Sequence, residues 1–204
     1  MRATEAYADL LRFGVPVVTT REAAARLGLA LPATSRLMGR LAAAGLVRPV
    51  KRGLWALHAD LDPFALPAYL AAPYPAYVSL WSALARHGMI EQIPRALYAV
   101  SLGRTRVTTT GFGPISMHHV SAPLFGGFAT TDRGYQLATP EKALFDTLYI
   151  AAPSGGAGHL PELELPAGFD GSAVVAWIER IGPERLRTLV ARSLRRILRD
   201  ARRM

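Results

Sequence analysis

Glycine and proline divide the start of this chain into short segments, so that no helix or strand there can be long. Residues 3–13 repeat apolar side chains at helical spacing up to Gly14, which ends the pattern. A second helix of about two turns stops at Gly28 and begins after one of two adjacent threonines that can cap it. Pro32 opens a third helix, because the first turn does not need the amide hydrogen that proline lacks. This third helix is predicted to extend to Gly45.

A strand–turn–strand pattern follows the third helix directly. Residues 46–50 and 54–57 are strand-like, and the turn between them contains Lys51 and Arg52 followed by a glycine. A two-turn helix, a short connection and a longer helix make a helix-turn-helix, and a hairpin with a basic tip directly after it is typical of a wing. Residues 1–59 are therefore predicted to form a winged helix-turn-helix domain.

The third helix has two faces of different chemistry. Its apolar seam is predicted to contain Thr34, Leu37, Leu41 and Ala44. Its opposite face contains Ser35, Arg36, Gly39, Arg40 and Ala43. Small residues around two arginines one turn apart suit a helix that enters a major groove about 12 Å wide. Arg36 and Arg40 can bind a guanine edge or a phosphate, Ser35 can bind either, and Lys51 and Arg52 can reach the DNA backbone or the minor groove.

The distribution of charge supports this interpretation. The chain has 24 Lys and Arg against 15 Asp and Glu, a net charge of +9. Residues 1–52 carry +6, residues 53–179 carry −4 and residues 180–204 carry +7. Positive charge that is concentrated at both ends favours a polyanionic partner. The alternative is that the charges are simply solvated and that the winged helix contacts other proteins.

The last helix also divides into an apolar face and an arginine face. At about 100° per residue, one side is predicted to carry Leu186, Leu189, Val190, Leu194, Ile197 and Leu198. The other side is predicted to carry Arg185, Arg192, Arg195, Arg196, Arg199, Arg202 and Arg203. Like charges on one face repel each other, so we expect an anion to neutralise them: DNA backbone, RNA, anionic lipid or an acidic protein surface. The alternative is an exposed tail of arginine-rich composition.

Residues 60–204 are predicted to form a second, mixed α/β domain with a small sheet, so that the whole chain is α+β. The polar stretch 58–63 marks the boundary. Helices are expected over residues 77–87 and 140–149, and strands over residues 95–103, 106–110, 115–120 and 135–138. The Gly- and Pro-rich stretch 152–171 is interpreted as a mobile connector rather than a functional lid.

The sequence offers little for catalysis. The absence of cysteine excludes disulfides, thiol catalysis and thiolate zinc sites. His118 and His119 are adjacent on a predicted strand, so they point to opposite faces and cannot share a metal. A site of His118 with Asp132, Glu141 or Asp146 is imaginable, but no spacing requires it. Because no phosphate-binding loop or catalytic motif is present, we predict no enzyme, no cofactor and no metal.

We recognise no targeting signal and no membrane-spanning segment in the sequence. Glu5 and Asp9 interrupt the first apolar segment, so it does not resemble a signal peptide. The uncharged stretch 63–85 is long enough to span a bilayer, but its four prolines break any helix through it. We therefore expect a cytoplasmic protein without a membrane span.

The order of segments resembles that of the AbiEi-type antitoxins of bacterial toxin–antitoxin and phage-abortive-infection systems. The resemblance is carried by TTREAAARLGLALPATSRLMGRLAAAGLVRPVKRGLWAL (19–57), YVSLWSALARHGMIEQIP (77–94) and LATPEKALFDTLY (137–149). It implies a repressor whose winged helix binds inverted repeats in its own operator. It also implies a C-terminal domain that opposes a nucleotidyltransferase-like toxin encoded by the adjacent gene, with or without a stable complex.

The resemblance further implies which residues read DNA. Carried over by position, they are Thr34, Ser35, Arg36, Arg40, Lys51 and Arg52. Basic C-terminal faces in the family suggest added phosphate contacts from Arg192, Arg195, Arg196 and Arg199. A different interpretation is a winged-helix regulator whose second domain senses a small ligand or a partner protein, with no toxin involved. A third, an enzyme that acts on nucleic acid, requires a divalent metal near His118.

Overall fold

A computed structural model of the chain describes residues 2–154 and 162–201. In this part of the chain the protein is mixed α+β, with eight α-helices and two β-sheets. Residues 155–161, inside the connector expected from the sequence, lie outside the described residues. Arg202 and Arg203 of the expected arginine face lie outside them as well.

The N-terminal part of the chain forms three helices and a small antiparallel sheet. The elements are α1 (Ala3–Leu11), β1 (Val17–Thr19), α2 (Thr20–Leu27), α3 (Leu31–Ala43), β2 (Arg48–Lys51) and β3 (Leu54–Ala56). Strand β3 lies between β1 and β2 and pairs antiparallel with both. The three helices and the β2–β3 hairpin follow each other in the order expected from the sequence.

A capping box sets the start of α2. The Thr19 hydroxyl accepts the amide hydrogen of Glu22 at 3.1 Å, and a carboxylate oxygen of Glu22 accepts the amide hydrogen of Thr19 at 2.7 Å. Gly28 ends the helix with a φ of +63°, a conformation that residues with a Cβ disfavour. Of the two adjacent threonines, Thr19 is therefore the cap.

The apolar side of α3 lies at the centre of the first hydrophobic core. Thr34, Leu37 and Leu41 of the predicted seam are buried, as is Met38 beside them. Side chains from α1 and β1 pack against this side of the helix. Ala44, the last residue of the predicted seam, is exposed instead, because α3 ends one residue before it.

The rest of the described chain forms a six-stranded sheet and five helices. The helices are α4 (Leu66–Ala71), α5 (Leu80–Arg86), α6 (Pro140–Ala151), α7 (Gly171–Glu179) and α8 (Glu184–Ala201). The strands are β4 (Ala76–Val78), β5 (Leu97–Ser101), β6 (Arg106–Thr110), β7 (Gly113–His119), β8 (Phe128–Thr130) and β9 (Gln136–Ala138). Their order in the sheet is β6-β7-β5-β4-β9-β8, with parallel pairing of β5 with β7 and of β4 with β9.

Both faces of the six-stranded sheet are buried at its central strands β4 and β5. Tyr77 of β4 and Val100 of β5 point into a core that they share with α5, α6, α7 and α8. Ala76 and Ala99 precede them in sequence and therefore point to the opposite face, where α4 and the three-stranded sheet pack. The molecule is thus layered: helices, six-stranded sheet, and then α4 together with the N-terminal part.

Burial of β4 on both faces explains why one helix was predicted to begin too early in the sequence. The predicted helix over 77–87 begins only at Leu80, because Tyr77 and Val78 pair with β5 as part of β4. All three residues of β4 are buried, so this strand lacks the apolar–polar alternation that identifies a strand with one exposed face. Helix α7 and strand β8 were not anticipated either.

One core joins the two parts of the chain that the sequence predicts as separate domains, residues 1–59 and 60–204. Val50 of β2 packs in this core with Ile115 and Met117 of β7. We call it the shared core. Apolar contact across it holds the three-stranded sheet against the six-stranded sheet.

Backbone contacts reinforce the shared core at the turn between β6 and β7, which we call the Gly111–Phe112 turn. The Gly111 amide donates to the Val50 carbonyl oxygen at 2.9 Å. The Arg48 guanidinium donates to the Gly111 carbonyl oxygen at 2.6 Å and lies 4.3 Å from the centre of the Phe112 ring. A Cβ on Gly111 would come within 2.1 Å of the Pro49 carbonyl oxygen, so only glycine permits this approach.

A completely buried ion pair anchors α6 to the sheet. Lys142 and Asp146 both have side chains with 0% exposure. The Lys142 ammonium donates to the Asp146 carboxylate and, at 2.8 Å, to the Leu124 carbonyl oxygen. The same carboxylate accepts the hydroxyl hydrogens of Tyr77 at 2.9 Å and Ser79 at 2.7 Å. The pair braces its own helix, as the spacing suggests, and it also ties that helix to β4.

Aromatic rings enclose this ion pair. The Lys142 ammonium lies 4.6 Å from the centre of the Phe145 ring and 4.5 Å from that of Trp177. Burial lowers the pKa of Lys142 and raises the pKa of Asp146, while each charge opposes that effect on its partner. Mutual attraction and complete hydrogen bonding are therefore needed to keep both groups charged.

Removing one member of the pair leaves the other charge buried without a counterion. We expect Asp146→Ala to lower the free energy of unfolding by about 3–5 kcal/mol, measured by urea denaturation. The double variant K142M/D146L should recover most of this loss, because no charge then remains in the core. As a control, Arg133→Ala removes an ion pair with the side chain of Asp62 at the surface. If Asp146→Ala lowers the free energy of unfolding no more than this control does, the buried ion pair does not have the proposed stabilising role.

Candidate nucleic-acid interface

The outer face of α3 presents two arginines among small residues. Arg36 and Arg40 are exposed and line an open depression of about 590 Å³ together with Ala33, Gly39 and Ala43. The small side chains leave room for another surface to approach the helix backbone. Ser35 is exposed on the same helix. The structure therefore brings Arg36 and Arg40 together on one accessible surface, which we call the α3 face.

The arginines of the α3 face are open to an anionic partner. No ion pair joins Arg36 or Arg40 to a carboxylate within residues 2–154 and 162–201. A guanidinium carries five N–H donors in a planar fork, which matches the acceptor atoms of a phosphate or a guanine edge. The α3 face thus offers these donors without a competing acid from residues 2–154 and 162–201.

Thr34 does not belong to this surface, which corrects one predicted DNA contact. Its exposure is 0%, and its hydroxyl donates to the Ala30 carbonyl oxygen at 3.1 Å. The residue lies on the buried side of α3, so its side chain cannot reach a groove. Its spacing from Leu37 and Leu41 already indicated this position, and the resemblance had assigned it a second, incompatible role.

The hairpin between β2 and β3 presents the other two N-terminal candidates. Lys51 and Arg52 are both exposed at the tip. Gly53 follows them with a φ of +78°, which closes the turn tightly. The register of β2 against β3 shifts between Pro49 and Lys51, and such a bulge increases the local twist of the strand.

The basic residue at the other end of β2 has a different environment. Arg48 faces the Gly111–Phe112 turn of the second sheet, as described above. Sequence reasoning did not identify this role, because the partners lie more than sixty residues away along the chain. Only the strand pairing and the shared core bring them together.

Helix α8 carries the third basic surface. Val190, Leu194 and Ile197 are buried against α6 and α7. Leu189 of the predicted apolar face is 40% exposed, so that face is narrower than the helical projection indicated. The docking of these apolar side chains leaves the arginine side of the helix turned outward.

Four predicted phosphate contacts lie on the outer side of α8, which we call the α8 face. Arg192, Arg195, Arg196 and Arg199 are all exposed. Arg192, Arg195 and Arg199 line an open depression of about 360 Å³ with Leu198. No ion pair joins these three to a carboxylate of the described residues. Their mutual repulsion is therefore not relieved by acidic side chains in that part of the chain.

The structure does not assemble the metal site considered at His118. The His118 ring nitrogen Nε2 lies 3.0 Å from the Ser116 hydroxyl, and the ring stacks on Tyr98. The Asp146 carboxylate is bound by its own buried partners instead. Glu141 accepts the amide hydrogen of Asp170. Within the described residues, no group of three or more His, Asp or Glu side chains can hold a metal ion.

The candidate residues therefore form three groups: the α3 face, the tip of the hairpin and the α8 face. The α3 face belongs to the N-terminal core, and the α8 face belongs to the helical layer over the six-stranded sheet. None of the described helices has the length and apolarity needed to cross a membrane. A comparison of the chain with models of known protein families and with curated proteins returned no match.

The partly buried His118 makes the stability of the fold depend on pH. Burial lowers its pKa below the usual 6.5. As the pH falls through about 6.5, the unfolded chain therefore takes up a proton before the folded chain does, and the free energy of unfolding falls. We expect His118→Gln to reduce this loss between pH 7.5 and 5.5, measured by urea denaturation at each pH. An unchanged pH profile in the variant would contradict this role.

Proposed function

We propose that this protein is a transcriptional repressor that binds double-stranded DNA and acts as the antitoxin of a toxin–antitoxin operon. The observation that carries the DNA-binding part is the α3 face, where two exposed arginines lie among alanine and glycine and form no ion pair with an acid of the described residues. The clustered positive charge of residues 1–52 supports it. Because such a regulator acts where DNA is, we place it in the cytoplasm.

The arrangement of the N-terminal elements supports a winged helix-turn-helix. Helices α2 and α3 are joined by a short connection, and a hairpin with a basic tip follows α3. Strand β1 completes the three-stranded sheet in the order β1-β3-β2. At a rise of about 1.5 Å per residue, the 13 residues of α3 extend for about 20 Å, which is sufficient to cross a major groove about 12 Å wide.

Each group of residues has a distinct role in this proposal. Arg36 and Arg40 read base edges, and Ser35 binds a base or a phosphate. Lys51 and Arg52 contact the DNA backbone or the minor groove next to the helix. The α8 face, with Arg192, Arg195, Arg196 and Arg199, neutralises phosphates without reading sequence. Inverted repeats in the operator would be bound by two copies of the chain.

Substitutions on the two faces should have different effects. With DNA from upstream of its own gene, Arg36→Ala or Arg40→Ala should each weaken specific binding by about 5- to 150-fold and leave non-specific binding nearly unchanged. The double variant R195A/R199A should weaken binding to all duplexes and reduce the salt slope of log K by about 2. Fluorescence anisotropy over a range of salt concentrations measures both effects.

Two matched variants serve as controls for loss of charge. Arg12→Ala removes one exposed arginine from the end of α1, and R104A/R133A removes two from the region of the six-stranded sheet. Neither should change operator affinity by more than a small factor. If the variants of the α3 face bind the operator as tightly as Arg12→Ala does, the proposed assignment of the recognition helix is wrong.

The antitoxin part of the proposal rests on the resemblance of three segments of the chain, 19–57, 77–94 and 137–149, to AbiEi-type antitoxins. It requires that the adjacent gene encodes a nucleotidyltransferase-like toxin, which this protein opposes directly or indirectly. No individual residue of the second domain is assigned to that role. Segments 77–94 and 137–149 are more specific to the family than segment 19–57, and they contain α5 and α6 of the helical layer.

Co-expression tests this part of the function. From an unrelated promoter, the protein should restore the growth of cells that express the adjacent gene. The double variant R36A/R40A should still rescue growth, because the toxin is opposed by residues 60–204 rather than by DNA binding. Failure of the wild-type protein to rescue growth, at matched expression, would refute the antitoxin function and leave DNA binding untouched.

The second candidate function is a winged-helix regulator whose second domain senses a small ligand or a partner protein. A cleft of about 510 Å³ next to the Gly111–Phe112 turn favours it. The two functions differ in what the operon must contain, because only an antitoxin requires a toxin gene beside it.

A further inference from the structure

A cleft opens between the segment at Pro63 and Phe64, where the second domain begins, and the six-stranded sheet. Its volume of about 510 Å³ lies within the range of about 300–1,000 Å³ that is usual for small-molecule sites. Phe64, Ile93 and Phe112 contribute apolar walls. Ile93 is 92% exposed, the highest exposure among the large apolar residues of the described chain. An apolar ligand would therefore cover surface that now faces water.

The polar groups at the edge of the cleft are cationic. Arg86 and Arg95 line it, and both are exposed. Arg86 lies 5.7 Å from the centre of the Phe64 ring, which holds the guanidinium beside an apolar wall. Neither arginine forms an ion pair in the described part of the chain, and no carboxylate lines the cleft. The complementary ligand has an apolar body and an anionic group.

The wall formed by Phe112 connects the cleft to the hairpin tip. The Gly111–Phe112 turn also contacts Arg48 and Val50 of β2, as described above. Strand β2 ends at Lys51, the first basic residue of the tip. Because Gly111 is packed against Pro49 too closely to accept a Cβ, we expect a displacement of the Gly111–Phe112 turn to move β2 as well.

We propose that this cleft binds a small organic carboxylate with an apolar body, and that the bound molecule shifts the hairpin tip through Phe112 and Arg48. Arg86 and Arg95 hold the carboxylate, and Phe64, Ile93 and Phe112 cover the apolar body. The binding step is independent of DNA. The regulatory consequence, a change in operator affinity, rests on the proposed DNA-binding function.

Nuclear magnetic resonance of the full chain tests the binding step with 1-naphthoate as the probe. Millimolar 1-naphthoate should shift the methyl signals of Ile93 and the ring signals of Phe112. The neutral analogue 1-naphthalenemethanol should bind at least tenfold more weakly, as should 1-naphthoate to the double variant R86A/R95A. The double variant R195A/R199A, which removes the same charge from the α8 face, should bind at the cleft as the wild type does.

Two outcomes overturn the binding step. The first is the absence of shifts at Ile93 and Phe112 at saturating probe. The second is equal binding of the neutral alcohol, which would show that the arginines do not select an anion. A circular dichroism spectrum of each variant establishes that it is folded.

The coupling step has its own measurement. In the wild type, 1-naphthoate should also shift the amide signals of Lys51 and Arg52. In Arg48→Ala, which changes no residue that lines the cleft, the probe should bind but leave those amides unchanged. Wild-type operator affinity should change at least threefold with bound probe, and that of Arg48→Ala should not. Shifts at the cleft without shifts at the tip would refute the coupling. Shifts at both places in a protein that binds no DNA would refute the proposed function alone.

Discussion

The packing of the three-stranded sheet against the six-stranded sheet determines how the two halves of this molecule are related. Apolar side chains of β2 and β3 face the shared core, while the other side of the same small sheet covers the core around α3. The contact between Gly111 and the backbone of β2 adds a steric requirement that only glycine meets. The helix that we assign to DNA and the cleft that we assign to a carboxylate therefore belong to one continuous packed structure rather than to two domains on a flexible linker.

The buried ion pair between Lys142 and Asp146 has a comparable role in the helical layer. Two charges inside an apolar core cost free energy unless every donor and acceptor is satisfied. In this case a carbonyl oxygen and aromatic rings contact the ammonium, and hydroxyl groups donate to the carboxylate. No buried polar side-chain atom of the described residues lacks a partner. The positive charge that is available to a partner lies outside, on the α3 face, the hairpin tip and the α8 face.

Local sequence patterns were sufficient to predict the elements that bury one face and expose the other. The start of α2 at one of two adjacent threonines, the glycine at its end, most of the seam of α3 and the arginine side of α8 all follow from spacing and from residues next to each other in the chain. Patterns were insufficient where burial is two-sided or where partners are distant. Strand β4 was taken for the start of a helix because all of it is buried, and Thr34 was assigned to DNA although its spacing placed it in the core.

The sequence by itself determined helices α1, α2, α3 and α8 and the concentration of positive charge at the two ends, because each of these depends only on the identity and spacing of neighbouring residues. The tertiary structure alone decided that Arg48 contacts the Gly111–Phe112 turn, that Lys142 is buried among aromatic rings, and that a cleft edged by Arg86 and Arg95 opens beside Phe112. These features join residues far apart in the chain, and their energies come from packing and desolvation, which exist only once the sheets and helices have come together.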